Sequence, residues 1–182
     1  MIDPLIIKLI SLCFALLLLG AAWHKLARRQ VFRAILADYR LLPNVLVTPV
    51  AMLIPLIEVA LGILWLTGIG VTAAAIATAA LLFVYMAAIA INLLRGRIHI
   101  SCGCGLSTSH EDQPLSWVLI ARNLLFSGLA LLSLFPSAAR SLEWTDFVLL
   151  LPAMLAVTLL YGAFSQLLQN GSAIGAWRDT HE

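Results

Sequence analysis

The chain has 182 residues, of which 62% are hydrophobic and 11% are charged, and its formal net charge is +2. Soluble domains use roughly 45 to 50% apolar and about 25% charged residues, so this composition excludes an ordinary soluble fold. The small net charge gives no reason to expect a nucleic-acid partner. We therefore expect an integral membrane protein whose surroundings are the lipid bilayer.

Five continuous apolar runs are each long enough to cross a bilayer, which takes about 20 residues as a helix. Continuous runs favour helices over the alternating strands of a barrel. The predicted fold is an all-α bundle of about five transmembrane helices, forming a single transmembrane domain over residues 1–182. The predicted spans are 5–23, 46–67, 71–94, 115–135 and 147–168.

The first run is interpreted as a retained helix rather than a cleaved signal peptide. Asp3 precedes it, Lys8 is its only early positive charge, and it is longer than a typical signal-peptide core. Cys13 lies inside this run among apolar residues. A lone buried cysteine usually behaves as a small hydrophobic side chain, and we expect that of Cys13.

The segment after the first run mixes basic and apolar residues at a spacing that predicts a short amphipathic helix in the membrane interface. We expect a connector that contacts lipid headgroups. Binding an anionic substrate would instead require its basic face to point into the bundle. The charged and titratable residues of this segment are His24, Lys25, Arg28, Arg29, Arg33, Asp38, Tyr39 and Arg40.

Two ionisable residues lie within predicted spans, Glu58 in the second and Arg122 in the fourth, with Asn92 and Asn123 as polar companions. Charged groups inside a membrane are costly and are functional candidates by default. An ion pair lowers the free-energy cost of burying two opposite charges, so we expect Glu58 to pair with Arg122. Such a pair is either purely structural or also borders a polar cavity.

The polar segment 95–114, between the third and fourth predicted spans, contains Cys102 and Cys104. A disulfide between cysteines separated by one residue closes a very small ring, so it is expected to be strained and easily reduced. Positive charge from Arg95, Arg97 and protonated His99 would stabilise a thiolate and favour thiol exchange. A redox-active dithiol is therefore our main interpretation.

Two other interpretations of this segment stay open. A metal site is one, because nitrogen and sulfur ligands are the types that zinc prefers, although one residue between the cysteines is tighter than usual. An inert loop is the other. The candidate metal ligands are His99, Cys102, Cys104 and His110.

Lysine and arginine in short loops are enriched on the cytoplasmic side of a membrane. With five spans, only Arg140 and Lys8 fall on the second face, so the first face, which also carries Cys102 and Cys104, is predicted to be cytoplasmic. The basic residues of that first face are Lys25, Arg28, Arg29, Arg33, Arg40, Arg95, Arg97 and Arg178.

One set of motifs consists of 91–97, Cys102-Gly103-Cys104-Gly105, 114–117 and 121–124. These motifs resemble the methylamine-utilisation membrane protein family MauE. The early part resembles the wider DoxX-like group, through 20–26, 39–43, Pro55, Glu58 and Gly62. One departure is that Gly105 and Leu106 follow the cysteine pair where the family pattern has an aromatic residue, which affects the expected docking of a partner.

The resemblance implies a DoxX-like four-helix core plus one helix, in a multi-pass protein of the bacterial inner membrane. It implies a role in maturing the disulfide-rich small subunit of methylamine dehydrogenase. Its implied partner is MauD, a thioredoxin-like periplasmic protein that would exchange disulfides with Cys102 and Cys104. This chain would then be a thiol-disulfide oxidoreductase, but a periplasmic partner conflicts with the cytoplasmic side that the charge count predicts.

Cys13 is the one further thiol of the sequence, so a dithiol that turns over needs another acceptor. For a dithiol that turns over, a quinone in the lipid phase is a candidate second substrate, with Arg122, Trp117 and His99 as its hypothetical neighbours. The alternatives are a non-catalytic scaffold that recruits the thioredoxin-like partner, or a protein with a metal-holding loop.

Overall fold

The computed structural model describes residues 3–97, 115–136 and 144–179, and the regular secondary structure of these ranges is all helical. The prediction of an all-α membrane protein is confirmed. The helices are α1 (Pro4–Ala27), α2 (Arg29–Asp38), α3 (Asn44–Thr67), α4 (Val71–Leu94), α5 (Trp117–Leu132) and α6 (Trp144–Asp179).

Within the described ranges, three helices are long and apolar enough to cross a membrane: α1, α3 and α4, with 24 residues each. At about 1.5 Å per residue, each is about 36 Å long, which exceeds a hydrocarbon core of about 30 Å. The predicted span 115–135 corresponds to α5, which is shorter at 16 residues. The predicted span 147–168 lies within α6, whose apolar part includes Val148–Ala163. The helix count is close to the predicted one.

The ends of the long helices follow from local sequence. Asp3 caps α1, because its carboxylate accepts a hydrogen bond of 2.8 Å from the backbone N–H of Leu5. The turn between α3 and α4 uses Gly68 and Gly70, whose φ angles of 74° and 66° are left-handed. Glycine adopts that region without a Cβ penalty, so a turn this short makes α3 and α4 neighbours.

Helices α1 and α3 pack antiparallel. Three successive contacts show this, because residues further along α1 meet residues earlier in α3. These contacts are Phe14 with Trp65, Leu19 with Gly62, and Lys25 with Glu58. The aromatic pair is stacked with ring centroids 5.1 Å apart. The indole N–H of the fully buried Trp65 also donates to Thr78 Oγ1 of α4 at 2.9 Å, which connects α4 to this core.

The short helix predicted after the first span is present as α2. Phe32 is its buried residue, while Arg29 and Arg33 are exposed, so the helix is amphipathic. It packs against α3. Lys25 differs from the prediction: it belongs to the last turn of α1, and its side chain is buried.

The chain divides into two compact units, Met1–Ala138 with helices α1 to α5, and Ala139–Glu182 with α6. All residues of the site described below belong to the first unit. A single transmembrane domain over residues 1–182 stays a prediction.

Candidate functional site

A buried polar cluster joins the three long helices of the first unit. Lys25 of α1 and Glu58 of α3 form a salt bridge, with side chains only 4% and 2% exposed. The hydroxyl of Tyr85 on α4 donates to the same oxygen, Glu58 Oε1, at 2.7 Å and accepts from Lys25 Nζ at 3.1 Å. We call these three residues the Lys25 cluster. Each of its members contacts the other two.

Aromatic rings surround the ammonium group of this cluster. Lys25 Nζ lies 4.9 Å from the ring centroid of Tyr85 and 5.3 Å from that of Phe32 on α2. A cation near an aromatic ring gains electrostatic attraction, and the gain increases when water is excluded. The rings and the carboxylate together compensate a charge that would otherwise be very costly to bury.

The Lys25 cluster keeps some hydrogen-bonding capacity. Glu58 Oε2 is buried and has no hydrogen-bond partner among the described residues. An ammonium has three N–H donors. Two described acceptors, Glu58 Oε1 and the Tyr85 hydroxyl, are in range of Lys25 Nζ, so one donor remains without an acceptor in that part of the chain. Among the described residues, the cluster therefore has one donor and one acceptor without a partner.

The predicted pairing of Glu58 with Arg122 is wrong, because the cation that Glu58 binds is Lys25. Antiparallel packing of α1 on α3 brings Lys25 to Glu58, whereas Arg122 lies on α5, which packs mainly on α4. Lys25 was grouped with the interfacial basic residues because Arg28 and Arg29 follow it within one turn. Tyr85 was missed because a tyrosine in an apolar span is unremarkable until its hydroxyl is located.

A cavity of about 390 Å³ lies next to the Lys25 cluster, between α2, α3 and α4. Lys25 and Tyr85 form part of its wall, and nearly all the other lining residues are apolar. Val84 and Ile91 of α4 line it and are themselves exposed, so the cavity reaches the outer face of that helix. An apolar cavity with a few polar groups at one place is the usual form of a small-molecule site.

Two residues of the cavity wall pack against the described residues that follow the segment with the cysteine pair. Tyr39, at the end of α2, packs with Ile89 of α4 and with Leu115 and Leu119 at the start of α5. Tyr39 and Ile89 also line the cavity. Leu115, the first described residue after this segment, therefore contacts the cavity wall.

Cys102, Cys104, His99 and His110 lie outside the described residues. The redox pair and the alternative metal site therefore both stay predictions. In the described ranges there is no group of three or more His, Cys, Asp or Glu residues that could hold a metal ion. Cys13 of α1 is a partly buried free thiol, as expected of a small apolar side chain.

The remaining predicted residues lie on α4 and α5. Asn92 and Asn123 are buried, and the Asn92 side-chain amide donates to the Ala88 carbonyl at 3.0 Å. Arg122 is half-buried, and Trp117, the first residue of α5, is 61% exposed. Neither Arg122 nor Trp117 lines the cavity beside the Lys25 cluster. Their predicted role beside a quinone stays a prediction.

Sequence comparison identifies the family. The family model described as "Methylamine utilisation protein MauE" matches residues 3–136, which include α1 to α5, the Lys25 cluster and the cavity. The chain belongs to the MauE family. The resemblance noted from the sequence motifs is thereby confirmed.

Curated MauE proteins support this assignment over most of the chain. The protein from Paracoccus denitrificans is 41% identical over 132 residues, which are 72% of this chain and 69% of that relative. The protein from Methylophilus methylotrophus is 44% identical over 103 residues, 56% of this chain and 54% of the relative. That from Methylorubrum extorquens is 30% identical over 163 residues, 88% and 87% of the two chains. No solved structure matches the chain significantly.

Proposed function

We propose that this MauE-family protein is an inner-membrane thiol-disulfide redox protein. It supports disulfide formation in the small subunit of methylamine dehydrogenase and thereby the maturation of that enzyme. The observation that carries the proposal is the Cys102-Gly103-Cys104 sequence in the polar segment between α4 and α5 of a chain that belongs to a methylamine utilisation family.

The chemistry is disulfide exchange with a thioredoxin-like partner of the MauD type. A thiolate of one protein attacks the disulfide of the other, and a mixed disulfide forms and is then resolved by the second thiol. Positive charge near the cysteines favours the thiolate that this reaction needs. Arg95 and Arg97 supply such charge at the end of α4, where the segment begins.

The end of α4 fixes where that segment leaves the bundle. Gly96 has a left-handed φ of 71°, its N–H donates to the Leu93 carbonyl, and the N–H of Arg97 donates to the Asn92 carbonyl. These are the two hydrogen bonds of a Schellman cap, which ends a helix at a defined residue. The start of the segment is therefore anchored on buried Asn92, which supports a reactive pair held near one end of α4 and α5.

Replacing both Cys102 and Cys104 with serine tests this proposal. We expect the double variant to abolish assembly of active methylamine dehydrogenase in cells lacking the native protein, with membrane levels unchanged on immunoblots. Cys13→Ser is the matched control and should retain activity, because Cys13 lies within α1. Normal maturation with the double variant would refute redox exchange and favour a non-catalytic scaffold that recruits the thioredoxin-like partner.

The side of the membrane is tested by thiol labelling of intact cells. A Cys13→Ser variant leaves Cys102 and Cys104 as the only thiols of the chain. Exchange with a periplasmic partner predicts that a membrane-impermeant maleimide labels them from outside after reduction. Labelling only after permeabilisation would place the pair in the cytoplasm, as the charge count predicts, and would contradict exchange with a periplasmic protein.

A further inference from the structure

We propose that the cavity beside the Lys25 cluster binds a neutral lipid-phase molecule with a planar, carbonyl-bearing ring, which is the chemistry of an isoprenoid quinone. The site consists only of described residues of α1 to α4 and of the segment between α2 and α3. It differs from the quinone position considered from the sequence, because Arg122 and Trp117 are not among its lining residues.

The polar end of the cavity selects a carbonyl group. Lys25 lines the cavity and retains a donor hydrogen after its contacts to Glu58 and Tyr85. A carbonyl oxygen accepts such a donor without bringing charge. Glu58 is not a lining residue, so the polar contacts available to a ligand in the cavity come from Lys25 and Tyr85.

The charge balance of the cluster excludes anionic ligands. Lys25 is already compensated by Glu58, and both side chains are almost fully buried. A phosphate or a fatty-acid carboxylate would add an uncompensated negative charge to an apolar cavity, which is strongly unfavourable. Arg29 and Arg33 lie on the exposed side of α2 and are not part of the cavity wall.

The volume and the lining residues of the cavity suit a ring with a hydrocarbon tail. A volume of about 390 Å³ is within the range of small-molecule sites, roughly 300 to 1,000 Å³. Phe32, Tyr39 and Tyr85 line it and supply aromatic surfaces against which a planar ring packs well. Val84 and Ile91 mark the exposed side of the cavity on α4, through which an apolar tail can extend into the lipid.

A quinone bound in this cavity would also be the oxidant that disulfide formation at Cys102 and Cys104 requires. Closing a dithiol to a disulfide releases two electrons and two protons, and a quinone that takes up both becomes a hydroquinone. Tyr39 and Ile89 connect the cavity wall to Leu115, the first described residue after the cysteine segment. This link rests on the proposed function, whereas binding at the cavity does not.

The test measures binding of ubiquinone-1, a short-chain quinone, by calorimetry to the purified full chain in detergent. The Cys102→Ser/Cys104→Ser background is used, so failure of the thiol chemistry cannot affect the result. Ile54 lines the cavity from α3, and Ile54→Trp should fill it and weaken binding at least tenfold. The matched control is Leu125→Trp on the exposed side of α5, which should leave the Kd unchanged.

A second variant tests the contribution of hydrogen bonding to ligand binding without filling the cavity. Tyr85→Phe keeps the ring but removes the hydroxyl that helps to hold Lys25. We expect weaker binding with unchanged size-exclusion elution, so this variant remains informative if Ile54→Trp fails to fold. The proposal is overturned if ubiquinone-1 does not bind, or if it binds Ile54→Trp and the control equally. It is also overturned if native mass spectrometry shows a phospholipid that Ile54→Trp displaces and ubiquinone-1 does not.

Discussion

Replacing Lys25 with methionine should destabilise the first unit strongly, because it removes the cation that compensates Glu58. The Glu58 carboxylate is buried and accepts hydrogen bonds from Lys25 and Tyr85. Breaking a buried ion pair by removing one partner costs about 3 to 5 kcal/mol, since the other charge is left uncompensated. We therefore expect the free energy of unfolding of Lys25→Met to fall by about that amount.

The double variant Lys25→Met/Glu58→Leu makes this prediction specific. Replacing a buried pair with apolar side chains of similar volume is often neutral or stabilising. The double variant should therefore recover most of the stability lost in either single variant, which gives a large interaction energy in a double-mutant cycle. If the two charges did not interact in the folded protein, the losses of unfolding free energy in the two single variants would add up in the double variant.

Reversible unfolding in mixed detergent micelles, followed by circular dichroism, measures these free energies. Arg33→Met is the matched control, because Arg33 is exposed on α2 and its removal should leave the unfolding midpoint unchanged. A loss below about 1 kcal/mol for Lys25→Met, which is the usual contribution of an exposed ion pair, would refute the buried cluster.

Two further substitutions test the packing of the long helices. Gly62→Ala would place a Cβ 2.7 Å from Leu19 Cγ, so we expect a loss of about 1 to 3 kcal/mol in unfolding free energy. Gly128→Ala should instead be neutral or stabilising, because no described residue, apart from its chain neighbours and its own helix backbone, lies within 4 Å of the added Cβ. Thr78→Val leaves the buried Trp65 indole N–H without its acceptor and should cost about 1 to 3 kcal/mol. Thr78→Ser should retain most of that stability, and equal losses for valine and serine would contradict the hydrogen bond.

Much of the fold follows from local sequence. Apolar runs of about 20 residues predict helices in a membrane, and the turn between α3 and α4 depends on the backbone freedom of Gly68 and Gly70. The short amphipathic helix α2 was predicted from the alternation of basic and apolar residues. Glu58 was identified as a candidate because a carboxylate in an apolar run has to be compensated.

The partners of Glu58 were decided only by the tertiary structure. Sequence gives the helix on which a charge lies but not the rotation of that helix, or which neighbour it packs against. Lys25 was assigned to the interface because it follows the predicted span 5–23 and is followed by Arg28 and Arg29 within one turn. Antiparallel packing of α1 on α3 brings its ammonium to Glu58 and Tyr85, 33 and 60 residues further along the chain. The cavity next to them exists because α2, α3 and α4 meet there, and no local pattern encodes a space between three helices.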